Sequence, residues 1–544
     1  MTLDSLITVL GLLVAVYAVV PRVRRLEFRL RFGMLGWLLV ALTLASILYL
    51  QFYQSLRTLG LTPGFNLARW DLNPNNFSFV VLLAASLLII TYLSLRKLTR
   101  RHIFQFREFI LELSRERRYA EMYSLVHRNL AVLSRIYHAN FILSRTQRYL
   151  KIFSNRFSII YLDSISRRDH ERTSLESHIW ALKTRIYPML AKAFPAYSRE
   201  SDAAREVIHE LLMNRRTVRG MIEARPYCAL AFFEYNFNEY STFFDTYLEE
   251  LAKDIDSVYY HEIKHNQNQS HTYAYDLPDR NRLLYFLFAD CSVAEKLAPY
   301  KPVGETVISE LDRLYLSEVT DLYNGPMRDF YETSKWESII YVGIRFFDIM
   351  VTSALYQKVN WHMWLYYLPI FAERIARNLE PDIKFVDLNS EWPTRYHFLL
   401  YEIVSSLCNW ASAVEHVPLT QSNVMLEKTY ASHENGNIPK SAMLALGRVF
   451  KAVFASKSMD ERFMRYLANI AFRTYFELRA QENLRLYSEA LLNALRAGGF
   501  SMSSAQEGYS AALLDSFSNI DLVPYNYDAC NEVRALLESD VENS

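Results

Sequence analysis

Three long apolar runs lie near the start of the chain, at about 4–20, 34–53 and 79–95; beyond them, apolar positions recur every three or four residues. From Leu6 to Val20, and throughout the two later runs, there is no Asp, Glu, Lys, Arg or His. At ~1.5 Å rise per residue such runs approach the ~30 Å hydrocarbon thickness of a bilayer, so each predicts a transmembrane helix. The first run could also be read as a signal peptide, but the opening Met-Thr-Leu-Asp carries no positive charge. Pro21-Arg22-Val23-Arg24-Arg25 follows where a small-residue cleavage site would stand.

From residue 102 the pattern is that of amphipathic helices, with Phe104, Phe106, Phe109, Ile110, Leu113, Tyr119, Met122, Leu125 and Val126 forming the first stripe. Further helices are predicted at 139–165, 170–194, 199–224, 227–265, 279–297, 303–323, 327–358, 360–379, 394–414, 438–456, 459–478, 481–498 and 527–539. Prolines at 226, 278, 302, 326, 381, 393 and 418 punctuate them, and Asp279 behind Pro278 has the position of an N-cap. No sustained strand-type alternation occurs, and no fixed repeat period is found. The expected fold is all-α: an N-terminal three-helix transmembrane anchor followed by a large, irregular, solenoid- or bundle-like cytoplasmic body. The expected divisions are 1–95 for the anchor, 96–265 for a basic juxtamembrane helical region, and 266–544 for an acidic helical body. A second break is expected near 380–393.

Run 338–356 is apolar enough to suggest a fourth span, but Arg345 and Asp348 lie within it at a spacing that pairs them on one helix face. Two charges in lipid are costly, so a buried core helix is expected there. Trp361, Met363, Trp364, Tyr366 and Tyr367 cover all sides of the next helix, as in one packed between neighbours.

Composition sharpens this picture. The 544 residues include 37 Tyr and 33 Phe against only 14 Gly and 16 Pro, which favours long helices with bulky interlocking side chains. The formal net charge of +1 conceals a segregation. Residues 96–168 hold sixteen basic and five acidic side chains, whereas 169–544 hold 37 basic and 51 acidic ones. An acidic distal body is not expected to bind nucleic acid in general. Loop 21–33 has five Arg and one Glu, while loop 54–78 has only Arg57 and Arg69 with Asp71. The positive-inside rule then leaves the N-terminus outside and the bulk of the chain in the cytoplasm, and the expected location is a bacterial inner (plasma) membrane. Arg96, Lys97, Arg100, Arg101, Arg107, Arg115, Arg117 and Arg118 are the residues expected to face the anionic lipid surface. Ala41 and Ala45 offer a small-residue face for self-association of the second span. With no ionisable group in any span, a transporter is not expected. Four widely spaced cysteines suit a reducing compartment rather than a disulfide framework.

One short motif carries chemistry. His261-Glu262-Ile263-Lys264-His265 matches HExxH, which sets two histidines on one helix face for zinc and a glutamate as general base. With His271 the stretch resembles the zinc site of metzincin metalloproteases. That resemblance implies His261, His265 and His271 as ligands and Glu262 as base. It covers eleven residues only; Asn268 stands where glycine is usual, Lys264 brings a cation beside the metal, and the flanking chain reads as helix rather than sheet. No phosphate-loop, dinucleotide or nucleophile-elbow signature occurs.

The leading expectation is therefore a non-enzymatic, membrane-tethered helical scaffold or sensor that binds a protein partner, with no cofactor, in a setting such as bacterial stress or phage defence. A membrane-disrupting effector triggered through the helical body, and a zinc metalloprotease, are the alternatives.

Overall fold

The computed structural model describes residues 34–60, 74–95, 102–139, 199–235, 237–266, 277–317, 322–359, 363–380, 390–416, 437–499, 508–520 and 527–542, with a few single positions between. Among them every regular element is helical and there is no strand, so the all-α class holds. The expected span 4–20, the expected helices 139–165 and 170–194, and most of the polar stretch 266–278 lie outside the described residues. The chain separates into two compact units, Met1–Tyr240 and Ser241–Ser544. The division expected at 265/266 lies inside the second.

In the first unit, α1 (Met34–Gln51) and α2 (Pro74–Leu95) pack along one another and contain no charged residue. Trp37, Leu38, Leu42, Leu48, Leu83, Leu87 and Leu88 nevertheless point outward, Trp37 and Leu87 each with 66% of its surface exposed. The hydroxyls of Thr43, Ser46, Ser86 and Thr91 donate to the carbonyl four residues back at 2.7–2.8 Å, so the helices satisfy these polar groups internally. The apolar stretches Gly36–Leu50 and Val80–Ile89 are shorter than a full span.

The rest of the unit is built on α3 (Ile103–Arg115), α4 (Tyr119–Tyr137), α5 (Arg199–Met213) and α6 (Arg215–Ala224). Helix α5 packs against both α3 and α4, and α6 lies on α4. Helix α3 buries Ile103, Phe106, Phe109, Ile110 and Leu113, the face the sequence stripe marks; Phe104 is the exception and points outward. Asn214 joins α5 to α6 by accepting the Arg216 N–H with its side chain, a standard N-cap.

The second unit contains α7 (Tyr240–Lys253), α8 (Val258–Asn266), α9 (Arg282–Phe288), α10 (Tyr300–Leu316), α11 (Ile339–Tyr356) and α12 (Tyr367–Asn378). These are followed by α13 (Arg395–Ser412), α14 (Ile438–Phe454), α15 (Glu461–Arg479), α16 (Arg485–Ala497), α17 (Tyr509–Ser518) and α18 (Tyr527–Glu542). Helix α14 packs against α12, α13 and α16 at once, which makes the unit a stacked bundle. Its contact with α16 depends on Gly447, where an added Cβ would lie 2.1 Å from the Ala494 carbonyl oxygen. The two backbones meet there, and no larger residue leaves room for them. Ser338, Thr394, Asn437 and Asp460 cap α11, α13, α14 and α15 with side chains that accept first-turn N–H groups, each worth about 1 kcal/mol.

Helix α11 is the one described helix long and apolar enough to cross a membrane, and 72% of that window is buried. Within it Arg345 pairs with Asp348 at 2.9 Å, as the spacing predicts. The long helices expected at 227–265 and 279–297 are each divided. In the second case Asp290 accepts the Ser292 N–H and starts a new helix, Cys291–Leu297. Asp279 is not the cap expected of it. The helix begins three residues later, at Arg282, and its first amides are held from elsewhere in the chain.

Candidate functional site

Those amides belong to the chemistry of the HExxH segment. Glu262 is 4% exposed on α8, and its carboxylate oxygens accept the Leu283 N–H at 2.9 and 3.2 Å and the Leu284 N–H at 3.0 Å. The carboxylate thus caps α9 from 21 residues away in sequence, at the positive end of that helix. Asn281 adds a bond from its side-chain amide to the Glu262 carbonyl at 3.4 Å. His261 and His265 sit one turn apart on the exposed side of α8. The motif is therefore split between core and surface: its glutamate is bound to backbone amides rather than presented to a metal-bound water. His271 lies outside the described residues. No group of three His, Cys, Asp or Glu placed to share a metal occurs among the described residues.

Burial raises the thiols of all four cysteines. All four are buried and unpaired, and burial pushes the Cys228 thiol up to about 11 and those of Cys291 and Cys408 up to about 12. A thiolate at neutral pH is scarce at such values.

A second concentration of charge surrounds the Arg345–Asp348 pair. Arg345 also lies 3.9 Å from Glu402 on α13, whose carboxyl burial raises despite the guanidinium. Beside it the Lys335 ammonium sits 4.2 Å from the ring centre of Tyr331, 5.5 Å from Tyr341, 5.7 Å from Phe398 and 5.9 Å from Trp336. Burial pulls this lysine below its usual range, while the ring faces favour its charged form. Local spacing revealed the Arg345–Asp348 pair. It gave no sign of Lys335 or Glu402, because these meet through contacts between α11, α13 and the loop before α11. The cluster is an aromatic box already filled by the chain's own cation, and its geometry is that of a structural centre.

The basic residues expected at the lipid surface divide into three groups. Arg96, Lys97, Arg100 and Arg101 lie outside the described residues. Arg107 is engaged by Glu108 at 2.6 Å and Glu206 at 3.0 Å, and Arg118 by Glu121 at 2.7 Å and Glu116 at 3.3 Å. Arg115 and Arg117 are exposed and line a cavity of about 380 Å³ between the α3–α4 turn and the start of α6. Arg216, 99 residues beyond Arg117, lines the same cavity. Sequence reasoning missed it, and only its position at the first turn of α6 marks it. No family model, no curated protein and no solved structure matches the chain.

Proposed function

We propose that the chain is a membrane-tethered helical scaffold or sensor, anchored by three N-terminal spans in a bacterial inner membrane and holding its helical body in the cytoplasm to bind a protein partner. The observation that carries the reading is the α1–α2 pair. Two uncharged helices bury only a narrow seam against each other and leave Trp37, Leu42, Leu83 and Leu87 outward. In water such a surface is costly, at about 25 cal/mol per Å² of apolar area. In hydrocarbon it costs nothing, and the hydroxyls bonded back to their own helices meet the requirement that polar groups be satisfied internally. The basic stretch that follows suits an anionic leaflet, and the acidic remainder suits a body standing clear of it. The capping role of Glu262 and the raised thiols favour a binding function over hydrolysis.

Reporter fusions in a bacterial host test the arrangement. A fusion after Ser544 is expected to behave as cytoplasmic, and fusions within 60–70 as external. A periplasmic C-terminus overturns the orientation and removes one of the three spans.

A further inference from the structure

The α3–α4 turn carries an unusual residue at a position glycine commonly holds. Helix α3 ends with the Arg118 N–H donating to the Leu113 carbonyl at 3.0 Å and the Arg117 N–H to the Ser114 carbonyl at 3.1 Å. This pattern requires a left-handed residue just past the helix, and Arg117 occupies it with φ +58°. A side chain there is disfavoured by about 1 kcal/mol. Ala298, Arg328 and Lys358 share this left-handed backbone, so what sets Arg117 apart is the place its side chain occupies.

The side chain lines the cavity together with those of Arg115 and Arg216. Neighbouring Arg107 and Arg118 both have carboxylate partners, whereas Arg115, Arg117 and Arg216 have none among the described residues. Glu210 also faces the cavity, but it already accepts from Ser114 Oγ at 2.6 Å, Asn214 Nδ2 at 2.9 Å and Thr217 Oγ1 at 3.3 Å. Three guanidinium groups and one carboxylate leave a surplus of two positive charges, next to the positive end of α6. The Tyr119 ring forms a wall, and Gly220 makes room for it: a Cβ there would fall 1.9 Å from a ring carbon. The volume of about 380 Å³ is at the small end of ligand sites and suits a phosphorylated headgroup better than a large cofactor.

We propose that this cavity binds the dianionic phosphate of a phosphomonoester, with Arg117 and Arg216 as its forked donors and Arg115 completing the charge. Phosphatidic acid in the bilayer and a soluble phosphomonoester present the same chemistry. The inference deepens the lipid-surface part of the proposed function but rests on it only for the source of the phosphate.

The test uses the full chain in nanodiscs of phosphatidylcholine, titrated with glycerol 3-phosphate and followed by ³¹P NMR line broadening. Saturable binding is expected, weakened about tenfold or more by Arg117→Gly and by Arg216→Ala. Arg117→Gly is also expected to raise the melting temperature, since glycine relieves the left-handed strain; a purely structural arginine would not combine weaker binding with higher stability. A second arm compares nanodiscs containing phosphatidic acid with nanodiscs of matched charge containing phosphatidylserine. Protection of the α3–α4 turn from hydrogen exchange by phosphatidic acid alone assigns the lipid as source. Saturable glycerol 3-phosphate binding without that protection assigns the soluble ester. No saturable binding in either arm, or binding unchanged in both variants, overturns the inference. Repeating the glycerol 3-phosphate titration on the full chain in detergent micelles keeps the reading of phosphate binding separate from whether the chain spans the membrane.

Discussion

Glu262→Ala destabilises the second unit by about 2–5 kcal/mol, while His261→Ala and His265→Ala each change stability by less than about 0.5 kcal/mol. The difference follows from where the side chains lie. Removing the carboxylate strands the buried N–H groups of Leu283 and Leu284, and each orphaned donor costs about 1–3 kcal/mol. The histidines are exposed and can be trimmed without leaving any buried group unsatisfied. Glu262→Gln keeps one accepting oxygen and falls between. Denaturant unfolding midpoints of the four variants and the wild type measure this ordering. A Glu262→Ala protein as stable as the wild type would mean that the carboxylate is not the cap of α9, and would reopen the hydrolytic reading.

The second large effect is a loss of stability on acidification through His397. Its ring is 2% exposed, with Nδ1 2.7 Å from Thr394 Oγ1 and no partner at Nε2 among the described residues. It packs edge-on to Phe463 at 4.6 Å. Burial outweighs the nearby Asp460 carboxylate and lowers the ring to about 4 from the usual 6.5. The unfolded chain therefore takes up a proton that the folded one refuses, and stability falls as pH drops from 6.5 toward 4. The full difference is about 3 kcal/mol, and the slope vanishes above the unfolded value. Glu402, Asp202 and Asp245, whose carboxyls burial raises, act with the opposite sign. Subtracting the profile of His397→Phe from that of the wild type isolates the histidine. Parallel profiles between pH 4 and 7 would show that His397 titrates normally.

The fold was legible in the sequence where one helix decides its own fate. The stripe from Phe106 to Leu113 names a buried face, though Phe104, counted with it, points outward, and Arg345 with Asp348 names a pair, because both depend on the pitch of a single helix. The candidate sites depend on closures the sequence does not announce. Nothing around Asp279 says that its helix will start at Arg282, since the group that decides this is Glu262 on another helix. Likewise, Arg117 and Arg216 meet at one cavity only because α5 packs against both α3 and α4 and delivers the start of α6 beside the α3–α4 turn. The left-handed backbone at Arg117 had no signal at all, because glycine is the residue that usually gives it away. The HExxH match misled for the related reason that a five-residue spacing fixes a helix face but not what that face meets.

Tethering is tested most directly by floating the full chain with liposomes of neutral lipid after washing in alkaline carbonate at high salt, conditions that strip proteins held by charge alone. The wild-type chain is expected to float with the vesicles. The double variant Leu83→Arg, Leu87→Arg is expected to lose much of that association, since each charge at mid-helix costs about 2.5–3.5 kcal/mol. Recovery of the wild-type chain in the aqueous fraction, folded and monodisperse, would contradict the membrane anchor and leave α1 and α2 as the uncovered face of an assembly in water.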